Sequence, residues 1–268
     1  MFLGGDVFGP VGMRCASRLL PAFIVKEEID FCVINGENAS NGIGLSPEDA
    51  DLLFNAGADV ITGGNHSFEK RDYWQLLSSS PRVLRPANFP DASPEANALP
   101  LAGSGLAKLG LPGYDLEVAV LNVQGREDMV PIDCPFRAAR EAVSAWNSAA
   151  RPPIILVDVH AESSQEKEAL ALYLDGKVSA VCGTHTHVQT ADERILPGGT
   201  AYITDLGMIG PQRSVIGSDP ATAIKRNITQ VLYRMELPDV PGSLRGLLVE
   251  IDVHTRKAVS VSRIDIRE

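Results

Sequence analysis

Short runs of β-branched and aliphatic residues alternate with longer amphipathic stretches along most of this 268-residue chain. The alternation predicts strands at 30–35 (DFCVIN), 58–62 (ADVIT), 117–123 (EVAVLNV), 154–159 (IILVDV), 178–182 (VSAVC), 200–204 (TAYIT) and 247–253 (LLVEIDV), with a last one near 258–264. Helices are predicted between them, over 14–28, 47–56, 69–78, 136–149 and 164–174. Ser46 before Pro47 gives one helix a cap and a first-turn proline, and Gly57 gives it a stop. Strand alternating with helix points to an α/β protein with helices layered over sheet. The early strands are apolar throughout, as in a sheet covered on both faces. The later strands follow one another with less helix between them, so part of the sheet is expected to be antiparallel.

The length suits one large domain, or one domain with a small insertion. Two stretches break the pattern. Residues 86–115 are rich in Pro, Gly, Ala and Asn and are expected to form loops or an edge hairpin. Residues 207–245 hold Gly, Pro, Ser and room for one short helix, and are expected to form a small cap over a core made of 1–206 and 246–268.

A formal charge of −10 argues against gripping long nucleic acid, where affinity comes from Lys and Arg neutralising phosphates. It does not exclude a small anion held by metal ions, because bound cations reverse the local field. No run approaches the roughly 18 apolar residues of a membrane span. The start, Met-Phe-Leu-Gly-Gly-Asp, has no basic region and meets Asp6 at once, unlike a secretory signal. Cys15, Cys32, Cys134 and Cys182 are widely spaced and read as buried free thiols in a reducing compartment, so a cytoplasmic location is expected.

Five segments end a predicted strand with ligand-type side chains: Gly5-Asp6-Val7, Asn35-Gly36-Glu37-Asn38, Gly63-Gly64-Asn65-His66, Asp158-Val159-His160-Ala161-Glu162 and Gly183-Thr184-His185-Thr186-His187. Four of the five histidines fall in these segments, and His254 alone lies outside them. Open α/β sheets bind ligands beyond the carboxyl ends of their strands, so the five ends suggest one shared site. Singly each segment is weak. Asp6 could cap a helix, Glu37 or Asn38 could serve a turn, Asn65 could be chosen for left-handed backbone, and His160 could be a satisfied core histidine. Jointly they are hard to explain by chance. His185 and His187 are two apart, so on extended backbone they face the same side. Carboxylate, amide and imidazole donors without a thiolate suit Mn, Fe or Zn. Glu37 can bridge two metals. A pair of metals roughly 3.5–4 Å apart would turn a bridging water into hydroxide and polarise a phosphoryl oxygen.

The order Asp, Gly-Glu-Asn, Gly-Asn-His, His, Gly-Thr-His-Thr-His resembles the calcineurin-like metallophosphoesterases. The stretches GDVFG, INGENASNGIGL, GGNHSFEK, RPANFP, CPFRAA, DVHAESSQEKEAL and VSAVCGTHTHVQTADERILPGGTAYITDLGMIGP resemble one branch of them, the YmdB-like bacterial proteins with 2′,3′-cyclic nucleotide phosphodiesterase activity. Most calcineurin-like enzymes carry Asp where this chain has Glu37, and His where it has Phe8. Both differences are features of the branch. The resemblance implies an α/β/β/α sandwich with mixed sheets. It implies two divalent metal ions per chain, Fe or Mn before Zn or Mg. One would be held by Asp6, Glu37, Asn38 and His187, the other by Glu37, Asn65, His160 and His185. His66 would be the proton donor to the leaving oxygen, and the substrate a small cyclic nucleotide.

The chain also departs from the branch. Asp6 has only five residues before it, so the first strand is expected to be short, with either a start lying upstream or a frayed strand. Gly9-Pro10-Val11-Gly12 stands where a Gly-Arg-Pro-Gly turn is expected, and Glu127-Asp128 replaces an apolar pair after Gly125-Arg126. Arg126 and Arg213 are the candidate substrate contacts outside the cluster, with a solvated loop arginine an equal reading of Arg213. Two other functions stay open: a phosphomonoesterase or protein phosphatase using the same metals, and a regulatory protein with a weak site. A homo-oligomer is compatible with all three. A Rossmann binder and a Ser or Cys triad are disfavoured, because GxGxxG and GxSxG are absent.

Overall fold

The computed structural model describes residues 1–90 and 101–268. The chain forms β1 (Phe2–Val7), α1 (Gly9–Lys26), β2 (Cys32–Asn35), α2 (Pro47–Asn55), β3 (Val60–Thr62), α3 (Arg71–Ser79), β4 (Leu106–Gly110), β5 (Glu117–Gln124) and α4 (Pro135–Asn147). It continues with β6 (Ile154–His160), α5 (Ser164–Leu174), β7 (Ala180–Thr184), β8 (Arg194–Ile195), β9 (Ala201–Ile203), β10 (Met208–Pro211), α6 (Pro220–Thr229), β11 (Gly242–Ile251) and β12 (Ala258–Arg267). Two six-stranded mixed sheets result, in the orders β12-β11-β10-β1-β2-β3 and β4-β5-β6-β7-β9-β8.

The layering follows from the two-residue period of the strands. In β6, Ile154 and Leu156 join an apolar layer shared with Leu3, Val33, Val60 and Leu247 of the other sheet. Ile155, Val157 and Val159 point the opposite way, onto Val143 of α4 and Leu170 and Leu174 of α5. In the first sheet Phe2, Ile34 and Ile61 meet Leu20 of α1, Leu53 of α2 and Leu77 of α3. The protein is therefore helix, sheet, sheet, helix, with its middle layer made by both sheets, as the resemblance implies. Continuing the same alternation past the apolar run puts Asn35, Thr62, Asp158, His160 and Thr184 on the inner faces as well. The site grows out of the end of the middle layer.

Three expectations change. β1 is a full, wholly buried strand between β2 and β10, so it is not frayed. Its narrow neighbours demand glycine: a Cβ on Gly5 would stand 2.0 Å from the Gly207 carbonyl oxygen. Helix α1 begins at Gly9, well before the expected start at 14, because Pro10 suits a first turn rather than ending the segment. The cap boundaries also move. Residues 208–211 are β10, paired parallel to β1, and β11 begins at Gly242, antiparallel to β10. Only 212–241 leaves the sheet. Its one helix, α6, is capped by Asp219, whose carboxylate accepts from the Thr222 amide at 2.9 Å. Within the irregular stretch 86–115, residues 91–100 lie outside the described residues, and β4 pairs antiparallel with β5 at the sheet edge.

Candidate metal and phosphate site

All the cluster residues stand at or just after carboxyl ends of parallel strands. Asp6 closes β1, Glu37 and Asn38 follow β2, Asn65 and His66 follow β3, His160 closes β6, and His185 and His187 follow β7. The two sheets are joined beneath them by polar contacts. The Thr62 hydroxyl and the Asn35 amide both donate to Asp158 Oδ2, and the Gly63 amide donates to Asn122 Oδ1.

The centre of the cluster is His160 Nε2. Glu37 Oε1 lies 2.9 Å from it, Asn65 Oδ1 3.0 Å and His185 Nδ1 3.0 Å. One ring proton can satisfy only one of these three groups. Such crowding of lone pairs fits a cation better than a hydrogen-bond network. Glu37, His160 and His185 place a ligand atom each within 4.8 Å of one another. Beside them, Asn38 Nδ2 donates to Glu37 Oε1 at 3.1 Å and lies 3.3 Å from His187 Nε2. Asp6 Oδ1 is fully buried, has no hydrogen-bond partner among the described residues, and lies 3.8 Å from His187 Nε2. An orphaned buried carboxylate oxygen is costly without a positive partner. The residues thus fit divalent cations, and the backbone makes room for the close approach. A Cβ on Gly64 would stand 2.3 Å from Glu37 Oε2 and 2.4 Å from His160 Nε2.

Two histidines have their tautomers set from behind. Thr184 Oγ1 donates to Asp158 Oδ1 at 2.7 Å and so accepts from His160 Nδ1–H at 2.9 Å. His187 Nδ1 donates to the Ile216 carbonyl at 2.9 Å, a contact supplied by the 212–241 insertion. In both rings Nε2 is left to face the cluster. The loop carrying His185 and His187 is strained, with φ of 100° and 65° at the two histidines.

Electrostatics follow the burial. Burial pushes the Asp6 carboxyl up to about 6 in spite of His187 and His160. Burial also acts most strongly on Glu37, but the His160 charge and hydrogen bond outweigh it and hold that carboxyl at about 2. Burial opposes charge on His160, yet Glu37, Asp6 and Asp158 hold its pKa up to about 9. Burial, then repulsion from His160, lowers His185 to about 3.

His66 sits at the rim. Its amide donates to Glu37 Oε2 at 3.1 Å, and its ring Nδ1 lies 2.7 Å from Glu69 Oε1. Glu37, Asn38, His66, His185 and His187 line one wall of an open cavity of about 1270 Å³. The insertion provides the facing wall, through Ile216, Arg226, Tyr233, Arg234 and Leu237. Neither Arg126 nor Arg213 lines this cavity. Arg126 opens a separate depression with Glu127, Pro131 and Phe136, because the turn after β5 is tied to α5 by Glu166, which accepts from the Arg126 and Glu127 amides. Arg213 lies exposed at the neck of the insertion, next to the Gln212–Pro241 backbone hydrogen bond. The cavity's cations are instead Arg226 and Arg234, which no local motif marks. Asp158 was readable beside His160, since residues two apart on a strand share a face.

A family model described as YmdB-like protein matches residues 1–264. The chain is 43% identical over 264 residues to the 2′,3′-cyclic-nucleotide 2′-phosphodiesterase of Bacillus subtilis, covering 98% of this chain and 96% of that one. It superposes on the crystal structure of a Mycoplasma pneumoniae phosphatase with a TM-score of 0.90 at 32% identity, covering 99% and 92% of the two chains. The fold alone extends to the NAD nucleotidase of Haemophilus influenzae, with a TM-score of 0.58 at 13% identity over 97% of this chain and 50% of that one.

Proposed function

Because the chain belongs to the YmdB-like family, we propose that it is a metal-dependent phosphodiesterase that opens 2′,3′-cyclic nucleotides to 3′-nucleotides. The observation that carries this reading is the convergence of Glu37, Asn65 and His185 on His160 Nε2 at the floor of an open cavity. Asp6, Glu37, Asn38 and His187 would hold one divalent cation, and Glu37, Asn65, His160 and His185 a second, with Glu37 shared. When bound, two such cations supply Lewis acidity toward a phosphoryl oxygen and lower the pKa of water.

The chain's own residues do the rest. Asp6 and Glu37 set the negative charge that retains the cations, while Thr184 and Ile216 keep the His160 and His187 rings in register. A bond forms between a water oxygen and phosphorus as the bond from phosphorus to O2′ breaks, and the proton the water gives up passes to solvent, helped by the lowered pKa that bound cations would confer. His66 delivers a proton to O2′ from Nε2, the ring nitrogen not engaged by Glu69. Oxygen and nitrogen donors without sulfur favour Mn or Fe, with Zn or Mg as alternatives.

Chromatography of products from a substrate panel tests the reading. Adenosine 2′,3′-cyclic phosphate should yield 3′-AMP faster than 3′-AMP yields adenosine. Faster turnover of the monoester would move the assignment to a phosphatase.

A further inference from the structure

We propose that Arg226 and Arg234 form a second anion site, and that the enzyme is built for 2′,3′-cyclic nucleotides that also carry a 5′-phosphate. This rests on the phosphodiesterase reading above. The cavity, at about 1270 Å³, exceeds the upper end of common small-ligand pockets, roughly 1,000 Å³. Its two walls differ in chemistry. The strand-end wall holds the carboxylates and imidazoles that suit cations and, through them, the reacting phosphate. The insertion wall has no such cluster, and its charge-bearing donors are the two guanidinium groups.

Among the described residues neither Arg226 nor Arg234 enters an ion pair or donates a side-chain hydrogen bond. By contrast Arg14, Arg194 and Arg245 are each held by a carboxylate. Leaving two cations unpaired beside a cavity is notable in a chain of formal charge −10, with Glu162 and Glu236 lining the same space. A guanidinium fork binds phosphate in two parallel hydrogen bonds, which suits a terminal phosphate better than a point charge would. Tyr233, next to Arg234 in the chain, and Phe8, edge-on to His187 at 5.3 Å, add aromatic surface to the lining of the same cavity, against which a nucleoside would rest. The same chemistry is offered by a free 5′-phosphorylated cyclic nucleotide and by the cyclic end of a short oligoribonucleotide.

The test compares adenosine 2′,3′-cyclic phosphate with and without a 5′-phosphate, using the metal-loaded enzyme and the Arg226→Ala/Arg234→Ala double variant. The 5′-phosphate should raise kcat/KM about tenfold in the wild type, through KM, and the advantage should shrink to about twofold or less in the double variant. An ApA dinucleotide with a 2′,3′-cyclic end separates the sources. Equal gain assigns the site to RNA ends, and gain confined to the mononucleotide assigns it to free nucleotides. A second readout does not depend on turnover. Adenosine 3′,5′-bisphosphate should bind the wild type about tenfold tighter than 3′-AMP does, and the double variant should lose that gap. Equal affinities in the wild type, or a gap that survives both substitutions, overturn the proposal. If cyclic nucleotides are not hydrolysed but the binding gap behaves as stated, the phosphodiesterase reading fails and the anion site stands.

Discussion

Lys167 Nζ lies 2.7 Å from Asp205 Oδ2, and both side chains are about 1% exposed. The same Oδ2 accepts from the Thr186 amide at 3.2 Å and from its hydroxyl at 2.7 Å, while Oδ1 accepts from the Gly207 amide at 2.8 Å. Thr186 stands between the two histidines of left-handed φ. Such backbone costs on the order of 1–3 kcal/mol per residue and persists only where the surroundings over-determine it. The buried ion pair is the clamp that holds the His185–His187 loop in place.

Lys167→Met should therefore destabilise the fold by about 3–5 kcal/mol, the cost of stranding a buried carboxylate. Thr186→Val removes one hydrogen bond, keeps the ion pair, and should weaken metal binding more than it weakens the fold. Denaturant unfolding alongside metal titration separates the two. Unfolding curves for Lys167→Met that overlay the wild type would discard the clamp.

Thr184 acts on His160 as Thr186 acts on its neighbours, but through the ring. Thr184→Val should lower affinity for a divalent cation at the proposed His160 site by about 10–100-fold, and Thr184→Ser should restore it. Nitrogen NMR shifts of His160 in the metal-free protein above pH 9, where the ring is neutral, report the tautomer directly. A ring that keeps its proton on Nδ1 in Thr184→Val would show that the hydroxyl does not set it.

The pH response of metal-free protein has a definite sign. His160 is raised from 6.5 to about 9, so its stabilising contact with Glu37 is fully present below 6.5 and is lost as pH climbs through 9. Glu37 is lowered from 4.5 to about 2, so its share is present above 4.5 and lost as pH falls through 2. The pair contributes most between 4.5 and 6.5. A metal needs neutral imidazole, so uptake should expel a proton from His160 and tighten as pH rises toward 9. Calorimetry in buffers of different ionisation enthalpy counts that proton. Uptake without proton release at neutral pH contradicts the assignment.

If His66 is the proposed acid, His66→Ala should leave divalent-cation binding unchanged and lose about 10²–10⁴-fold in rate on a cyclic nucleotide. An aryl phosphodiester, whose leaving group needs little protonation, should lose much less. Equal losses on both substrates would make His66 a phosphate-orienting group instead of the acid. Glu69→Gln, which keeps the ring's neighbour but not its charge, should fall between.

Much of this was legible in the chain because strand periodicity is local. The polar residues that close β2, β3, β6 and β7 continue the inner face of each strand, so the sequence order of Glu37, Asn65, His160 and His185 already encodes their meeting. Other features depend on neighbours far along the chain. The strand β10 is only four residues long and is recognisable as sheet because β1 and β11 flank it. Pro10 looks like a turn residue until Gly12 is seen fitting 2.4 Å, measured from its would-be Cβ, from the Ile209 carbonyl. Arg226 and Arg234 reach the cavity only because the insertion folds back across it. Arg126 looked closer in motif terms, yet its turn faces α5.

The insertion leaves and re-enters the sheet at a single rung, since Pro211 and Gly242 are register partners and the Gln212 amide donates to the Pro241 carbonyl at 3.0 Å. A segment anchored in this way is a graftable module. Its length and sequence can drift, or be exchanged between relatives, while the strands that carry the cluster keep their alignment. Apart from the Ile216 contact to His187, selection can act on what the insertion recognises without disturbing the strand-borne residues that react.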